Sequence, residues 1–398
     1  MTGTDQKTSP RKYAFLNLGF RPFFLGAASF AFLSILLWMG IYIGFCDLQF
    51  SHFAPVTWHA HEMIFGYCIA VIAGFLLTAV KNWTEVQTLH GYPLLGLFLC
   101  WLAARVLPFF GSLVPLESVA FFDIMFLFLL ILSLAFPICK SGNWRNLGIV
   151  GILLLLLGSN IVFYLGILGI LQTGTHDGLY SGFYLILALV FIMGRRVIPL
   201  FIARGVDSPV ELLNWKWLDI SILPLFLIYW LTELTAPFSN FSAGLAGSLF
   251  LLHGIRLAGW HTLGIWKKPL LWILFLGYAM ITLGFALKTL SVLYGFSPFL
   301  AVHAFGFGGI GMISFGMMAR VSLGHTGRNV FDPPRSLFPI FALLLFAALI
   351  RIIFPMLDPT LYRLWIILSQ LFWLSAFGAF LFIFFPILIH PRIDGTYG

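Results

Sequence analysis

The stretch WHAHEMIFGYCIAVIAGFLLTAVKNW, residues 58–83, predicts a membrane-spanning helix that begins with His59, His61 and Glu62. An apolar run of this length matches the roughly 20 residues that a helix needs to cross a bilayer. Ionisable groups in or near hydrocarbon are costly, so they seldom occur there without a partner or a function. Imidazole also ligates metal ions and haem iron. The stretch therefore indicates both a membrane fold and a candidate site.

The composition of the whole chain is that of a membrane protein. Its 398 residues are 61% hydrophobic and only 9% charged, with a mean hydropathy of +1.01, whereas a soluble domain carries roughly a quarter charged residues. Strands that cross a membrane alternate apolar and polar residues, but the apolar runs here are continuous and of helical length. The sequence therefore predicts an all-α, polytopic bundle in contact with the lipid bilayer.

Turn residues divide the apolar sequence into about twelve predicted helices. Lys and Arg are concentrated in alternate connections, and the intervening connections, such as GSLVPLE at 111–117, are almost free of them. Because positive residues favour the cytoplasmic side, both termini are expected there, and only an even number of spans satisfies this. Arg351 and Arg363, near the last outer turn, are the main exceptions. The same distribution accounts for the net charge of +8 without a nucleic-acid partner.

The predicted organisation has three parts. A cytoplasmic N-terminal segment covers residues 1–18, a single twelve-helix transmembrane domain covers 19–390, and a cytoplasmic tail covers 391–398. The predicted helices cover residues 20–45, 58–80, 91–110, 117–138, 147–171, 178–203, 215–233, 241–263, 269–293, 298–322, 336–356 and 361–389.

This orientation converts sequence position into depth. The second and tenth helices both enter from the outer side, and His303 lies about five residues, or roughly 7–8 Å, from Pro298 along the helix axis. We therefore expect His59, His61 and His303 to share a level in the outer half. At about 100° per residue, His59 and His61 point about 200° apart, so they cannot both face one ligand through a regular helix. Either one lies on an unwound first turn, or the two serve different sites.

Small residues accompany both histidine regions. His59 shares its predicted face with Glu62 and with a stripe of small residues over 66–74. The tenth helix continues from its histidine as HAFGFGGIG, residues 303–311. Glycine costs a helix about 1 kcal/mol relative to alanine, so these runs indicate a close approach, either of another helix or of a flat ring.

A basic cluster toward the cytoplasmic face includes Arg195, Arg196 and Arg320. These residues could pair with haem propionates, bind lipid head groups or anchor the span ends. His253 falls near the middle of the eighth helix, and His325 lies near the cytoplasmic end of the tenth. The sequence contains no Walker loop, GxGxxG, HExxH or CxxCH motif, so any haem would be a non-covalent haem b.

Several long stretches of this sequence carry a family resemblance. They are GFRPFF at 19–24, WHAHEM and AVIAGFLLTAVKNWT within 58–84, GRRVIP at 194–199, PLLWILFLGYA at 269–279, and HAFGFGGIGMISFGMMARVSLGHTGR at 303–328. Together, and in this order, they resemble the NnrS family of bacterial inner-membrane proteins over nearly the whole chain. One small departure is Lys81, where the family more usually has a proline before Asn82.

The resemblance implies a twelve-helix protein that contains haem and copper and takes part in the response to nitric oxide, in denitrification and nitrosative stress. It leaves open whether such a protein consumes NO, senses it or protects metal centres. The histidines that match the family's motifs are His59, His61, His303 and His325; His253 and His261 match less closely.

We therefore predict a haem- and copper-binding protein that handles NO. Glu62 is expected to accept the second ring N–H of a ligand, and Arg195, Arg196 and Arg320 to contact the cofactor. A mixed centre, with two metals on the two histidines of HAH, would suit an NO-reducing oxidoreductase, although the sequence names no electron donor. The expected metal ligands are drawn from His59, His61, His253, His303 and His325.

Two other classes of protein fit the same sequence. One is a transporter or channel with a polar outer vestibule and no redox chemistry, although the scarcity of acidic residues deep in the spans disfavours a proton relay. The other is a structural or assembly partner, in which the histidines only form hydrogen bonds within the bundle.

Overall fold

The computed structural model describes residues 13–45 and 52–398. These residues form no strand, and 81% of them are helical. Twelve helices within them are long and apolar enough to cross a membrane, which confirms the predicted all-α polytopic bundle. In chain order they are α1 (Phe20–Ile43), α2 (Pro55–Thr84), α3 (Gly91–Gly111), α4 (Leu116–Lys140), α5 (Trp144–Ile167), α6 (Gly174–Gly205), α7 (Lys216–Thr235), α8 (Asn240–Trp260), α9 (Pro269–Tyr294), α10 (Pro298–His325), α11 (Leu337–Leu357) and α12 (Pro359–Ile389). Residues 1–12 of the predicted N-terminal segment lie outside the described residues.

Helix α2 is longer at both ends than the predicted 58–80. It starts at Pro55, because proline needs no hydrogen-bond partner for its nitrogen in the first helical turn. It continues to Thr84, whose hydroxyl donates to the carbonyl of Val80 at 2.7 Å. Glu85 then ends the helix in a left-handed conformation, with φ 58°. The early start places both histidines of HAH inside the helix rather than on an unwound turn.

Three helices form the centre of the bundle. The most apolar windows of α2, α9 and α10 are 72–78% buried, against 50% or less for the other spans. The first and last helices pack together on the periphery, and Ala14 donates from its backbone nitrogen to the carbonyl of Ile389 at 2.8 Å. Both ends of the described chain therefore lie on one side, which we call the terminal face; the opposite side is the distal face.

Both histidine-bearing central helices contain a π-helical segment. In α2 it covers Glu62–Cys68, directly after His61, and in α10 it covers Ala304–Ile310, directly after His303. A π-helix widens the turn, so the regular helical phase used in the sequence analysis does not hold beyond these histidines. Such segments occur frequently at functional sites.

Glycines allow neighbouring helices to approach these π-helical segments. A Cβ on Gly182 of α6 would lie 2.6 Å from the ring of Phe65, and one on Gly284 of α9 would lie 2.6 Å from the ring of Phe305. Within α10, a Cβ on Gly309 would lie 2.3 Å from the side chain of Ile281. The sequence left open whether another helix or a flat ring approaches these small residues, and at Gly309 it is a neighbouring helix.

Candidate functional site

His303 on α10 is held in one tautomer by two hydrogen bonds. Its Nδ1–H donates to the carbonyl of Phe299, one turn earlier, at 2.7 Å. Arg351 on α11 donates from Nη2 to His303 Nε2 at 3.0 Å. Because a guanidinium can only donate, Nε2 carries a lone pair and the imidazole is neutral. Histidine binds metals in this form, with its other nitrogen commonly bonded to a carbonyl.

His59 on α2 lies near this pair. Its ring stacks on that of Trp38 of α1, with centroids 4.7 Å apart and planes 9° from parallel. Its Nδ1 is buried and has no hydrogen-bond partner among the residues that the structure describes. His59 is close enough to His303 and Arg351 to interact with both electrostatically. We call His59, His303 and Arg351 the distal histidine site.

The donor set of the distal histidine site fits a metal that takes neutral imidazole ligands, such as copper or haem iron. His59 offers an unengaged nitrogen, whereas Nε2 of His303 becomes available only when Arg351 moves aside. Arg351 also has a second terminal nitrogen, Nη1, that is buried and has no hydrogen-bond partner among the described residues, so its guanidinium can receive an anionic group. Across the described ranges, no three or more His, Cys, Asp or Glu side chains are arranged to hold a metal ion.

His61 points into a different part of the bundle. Its Nδ1 lies 3.2 Å from Oε1 of Glu62, and its Nε2 lies 3.1 Å from Oδ1 of Asn160 and 3.3 Å from Oδ2 of Asp123. The ring also stacks on Phe163, with centroids 4.3 Å apart. Both nitrogens face acceptors, so this geometry suits an imidazolium that donates twice.

A buried charge network surrounds His61. Arg105 of α3 donates to Oε2 of Glu62 at 2.7 Å and also bonds Oδ1 of Asp123. Asn160 donates from Nδ2 to the other oxygen of Asp123 at 3.0 Å. The five side chains are at most 3% exposed and come from α2, α3, α4 and α5. We call His61, Glu62, Arg105, Asp123 and Asn160 the buried charge network.

The network is electrically balanced. Its two carboxylates are matched by one guanidinium and, when protonated, one imidazolium. A buried charge is tolerated only when it is paired and hydrogen-bonded in this way. Glu62 accepts hydrogen bonds from His61 and Arg105. Among the contacts of the described residues it accepts none from His59, with which the regular-helix argument grouped it.

His253 and His325 lie away from the distal histidine site. His253 of α8 faces the hydroxyl of Tyr278 through Nδ1 at 2.7 Å and stacks on Phe285, while its Nε2 is buried without a partner in the described structure. His325 is at the terminal end of α10, where its ring lies 5.7 Å from that of Phe20.

The three candidate arginines are on the terminal side and face different partners. Arg195 forms an ion pair with Asp219 at 3.0 Å, and Arg196 donates to Oδ1 of Asn146 at 3.3 Å. Arg320 lies over the ring of Phe201, 3.8 Å from its centroid. The structure therefore does not bring these arginines to the distal histidine site.

Both sites lie in a part of the chain that matches a known protein family. A family model described as NnrS protein matches residues 14–392. The chain belongs to the NnrS family. The match spans the distal histidine site, the buried charge network and both π-helical segments of this NnrS chain. The comparison with curated proteins gives no match.

The sequence did not predict Arg105, Asp123 and Asn160 as members of the buried charge network of this NnrS chain, or Arg351 as a member of the distal histidine site. Arg105, Asp123 and Asn160 each interrupt an apolar run, and this is the signal that could have identified them. Arg351 was noted only because it departs from the charge rule for topology. Its contact with His303 gives that departure a physical reason, because the guanidinium binds a side chain inside the bundle.

Proposed function

We propose that this NnrS protein is a haem- and copper-binding protein of the bacterial inner membrane that handles nitric oxide and protects against nitrosative stress. The distal histidine site is the observation that carries the proposal. It combines two half-buried imidazoles on neighbouring central helices, of which that of His303 is held neutral, and each is followed within a few residues by a π-helical segment. Family membership and the twelve-helix fold support the same function.

We assign His59 and His303 as the ligands at this site. His253 has a buried, unpartnered Nε2 and is the candidate ligand for a second group. His61 would have to give up a bond to a carboxylate or an amide before it could ligate a metal. In this proposal His61 and Glu62 hold α2 in place, and they fix the position of His59 through the helix.

A bound haem iron or copper would supply a centre at which NO coordinates. The chain's own groups would orient it: the carbonyl of Phe299 fixes the His303 ring, and Trp38 fixes the plane of His59. Arg351, freed from His303, would place a positive charge beside bound anionic groups, such as a propionate. Reduction of NO by an oxidoreductase would also need electrons and protons from a donor outside the bundle.

Cofactor analysis of the purified protein tests this assignment. The protein is expressed with ample haem and copper, and both are quantified per chain. His59→Ala and His303→Ala should each lower the content of one cofactor, whereas His176→Ala, an exposed distal histidine paired with Asp177, should not. Wild-type protein without haem or copper would contradict the proposal, and full content in both site variants would contradict the ligand assignment.

A membrane transporter is a second candidate, favoured by acidic residues that the structure buries inside the spans. Asp123 is 1% exposed, and Glu233 pairs with Lys288 at 2.7 Å, both within helices. Buried carboxylates of this kind form proton relays in transporters. Transport is tested by measuring proton flux into proteoliposomes. A flux that is abolished by Asp123→Asn would support transport, whereas a wild-type flux no greater than that of protein-free vesicles would exclude it.

A further inference from the structure

Helices α2, α6 and α10 are in tight contact at the level of the π-helical segments and separate from one another closer to the terminal face. At the level of the π-helical segments, Gly182 of α6 lies against Phe65 of α2, and a Cβ on Gly306 of α10 would lie 3.3 Å from the ring of Phe183. Closer to the terminal face a cavity of about 110 Å³ opens between the same helices. It is lined by α2 over 68–76, α6 over 186–198 and α10 over 310–317. We call it the terminal-side groove.

The terminal-side groove is apolar and laterally open. Its polar lining groups are the thiol of Cys68 and the hydroxyl of Ser314, and the hydroxyl already donates to the carbonyl of Ile310 at 2.6 Å. Phe75 and Val190 are only half-buried along its side. None of the described residues that line it is a histidine. The groove therefore suits a short stretch of a hydrocarbon chain that enters from the open side, because about 110 Å³ is too small for a whole acyl chain. It offers no imidazole from its described lining to a haem iron.

A buried, unpaired cation lies at the terminal end of this groove. Arg320 is one turn beyond Met317 on α10, and Phe201, on which its guanidinium stacks, is one turn beyond Val197 on α6. Arg320 is 8% exposed and has no hydrogen bond or ion pair to any residue that the structure describes. Arg195, which lies on α6 one turn before the groove residue Ile198, is already paired with a carboxylate. A largely buried guanidinium without a counter-charge is costly, and planar oxyanions are its preferred partners.

We propose that the terminal-side groove binds an anionic phospholipid from the leaflet on the terminal face, with its phosphate on Arg320, part of one acyl chain in the groove and the rest of that chain in the bilayer. Charge complementarity and depth select this occupant. Arg320 lies five residues before the end of α10, about 7–8 Å along the axis, where a head group meets the hydrocarbon. Basic pockets between transmembrane helices are known to bind lipid head groups. The lipid would fill the gap between α6 and the central helices α2 and α10.

Native mass spectrometry of the delipidated protein tests the proposal. Phosphatidylglycerol and phosphatidylcholine with identical acyl chains are titrated separately, and the apparent Kd of the first bound lipid is compared. The wild type should prefer the anionic lipid by roughly tenfold, the scale of one charge-assisted hydrogen bond or more. Arg320→Met should remove the preference, whereas Arg204→Met, an exposed arginine at the same end of α6, should keep it.

A second variant tests the groove itself. Val197→Trp fills the groove without a change of charge and should weaken both lipids; thermal melting establishes that each variant is folded. The proposal is overturned by equal binding of the two lipids to wild type, by a preference that survives Arg320→Met, or by tight binding to Val197→Trp. Oleate that displaces the phospholipid at equal concentration would assign the site to a fatty acid instead. Loss of haem from Arg320→Met with unchanged lipid binding would assign this arginine to the cofactor.

Discussion

Replacement of Arg105 by methionine tests the buried charge network. Arg105 is 2% exposed and is the shared partner of Glu62 and Asp123. Removal of one partner from a buried pair costs about 3–5 kcal/mol, because the remaining charge is left uncompensated. Here two carboxylates lose the same cation, while methionine preserves much of the apolar stem. We therefore expect Arg105→Met to lower the free energy of unfolding by about 3–5 kcal/mol.

The free energy of unfolding is measured by titrating the protein from mild detergent into SDS while tryptophan fluorescence is followed. A triple variant that adds Glu62→Gln and Asp123→Asn leaves no unpaired carboxylate and should recover most of the loss. Arg204→Met, at an exposed position, should stay within about 0.5 kcal/mol of wild type. The reasoning is refuted if Arg105→Met costs less than about 1 kcal/mol, or if the triple variant is no more stable than the single one.

Two further predictions concern helix packing and the tail. Gly284→Ala should lower the free energy of unfolding by about 1–3 kcal/mol, because its Cβ would meet Phe305. A Cβ on Gly244 would meet none of the described residues within 4 Å, so Gly244→Ala should stabilise α8 by up to about 1 kcal/mol. Equal effects of the two variants in the SDS titration would contradict this packing. A hydrogen bond from Arg392 lowers the pKa of Asp394. The ionised Asp394 therefore stabilises the tail fully above the pKa of an unfolded Asp, about pH 4. This stabilisation is lost as the pH falls through the lower pKa that Asp394 has in the folded protein. Hydrogen exchange of the tail amides should show this loss in wild type and a pH-independent, weaker protection in Asp394→Asn; identical profiles would count against it.

The span count and the approximate helix limits could be predicted because each span must satisfy its own backbone hydrogen bonds in lipid. An apolar run of about 20 residues therefore has few alternatives to a helix. The shared level of His59 and His303 followed from the alternating direction of the spans, and in the structure the two side chains are close enough to interact electrostatically. The cytoplasmic location of the termini stays a prediction, since the structure shows only that both ends lie on one face.

The local geometry of the site could not be read from the sequence. Regular periodicity assigns His59 and Glu62 to one face, but the carboxylate of Glu62 binds Arg105 of α3, and the π-helical segment that begins at Glu62 is not visible in the sequence pattern. Pairing across α2, α3, α4 and α5 joins residues up to 99 positions apart, as between His61 and Asn160, and no local pattern encodes such contacts.

Arg351 illustrates the same limit in a single residue. The charge rule for membrane topology treats it as an exception near the last outer turn. In the folded chain its guanidinium donates to His303 Nε2 and thereby fixes which nitrogen carries the lone pair. The neutral tautomer of His303 thus depends on a helix whose sequence carries no metal-binding pattern.

The absorption spectrum of the purified, reduced protein before and after addition of NO tests the central claim most directly. We predict a Soret band that NO shifts in the wild type and in His176→Ala, and that is lost or altered in spin state in His59→Ala and His303→Ala. A wild type without a Soret band after expression with ample haem would contradict the claim. So would two site variants whose spectra, with and without NO, match that of the wild type.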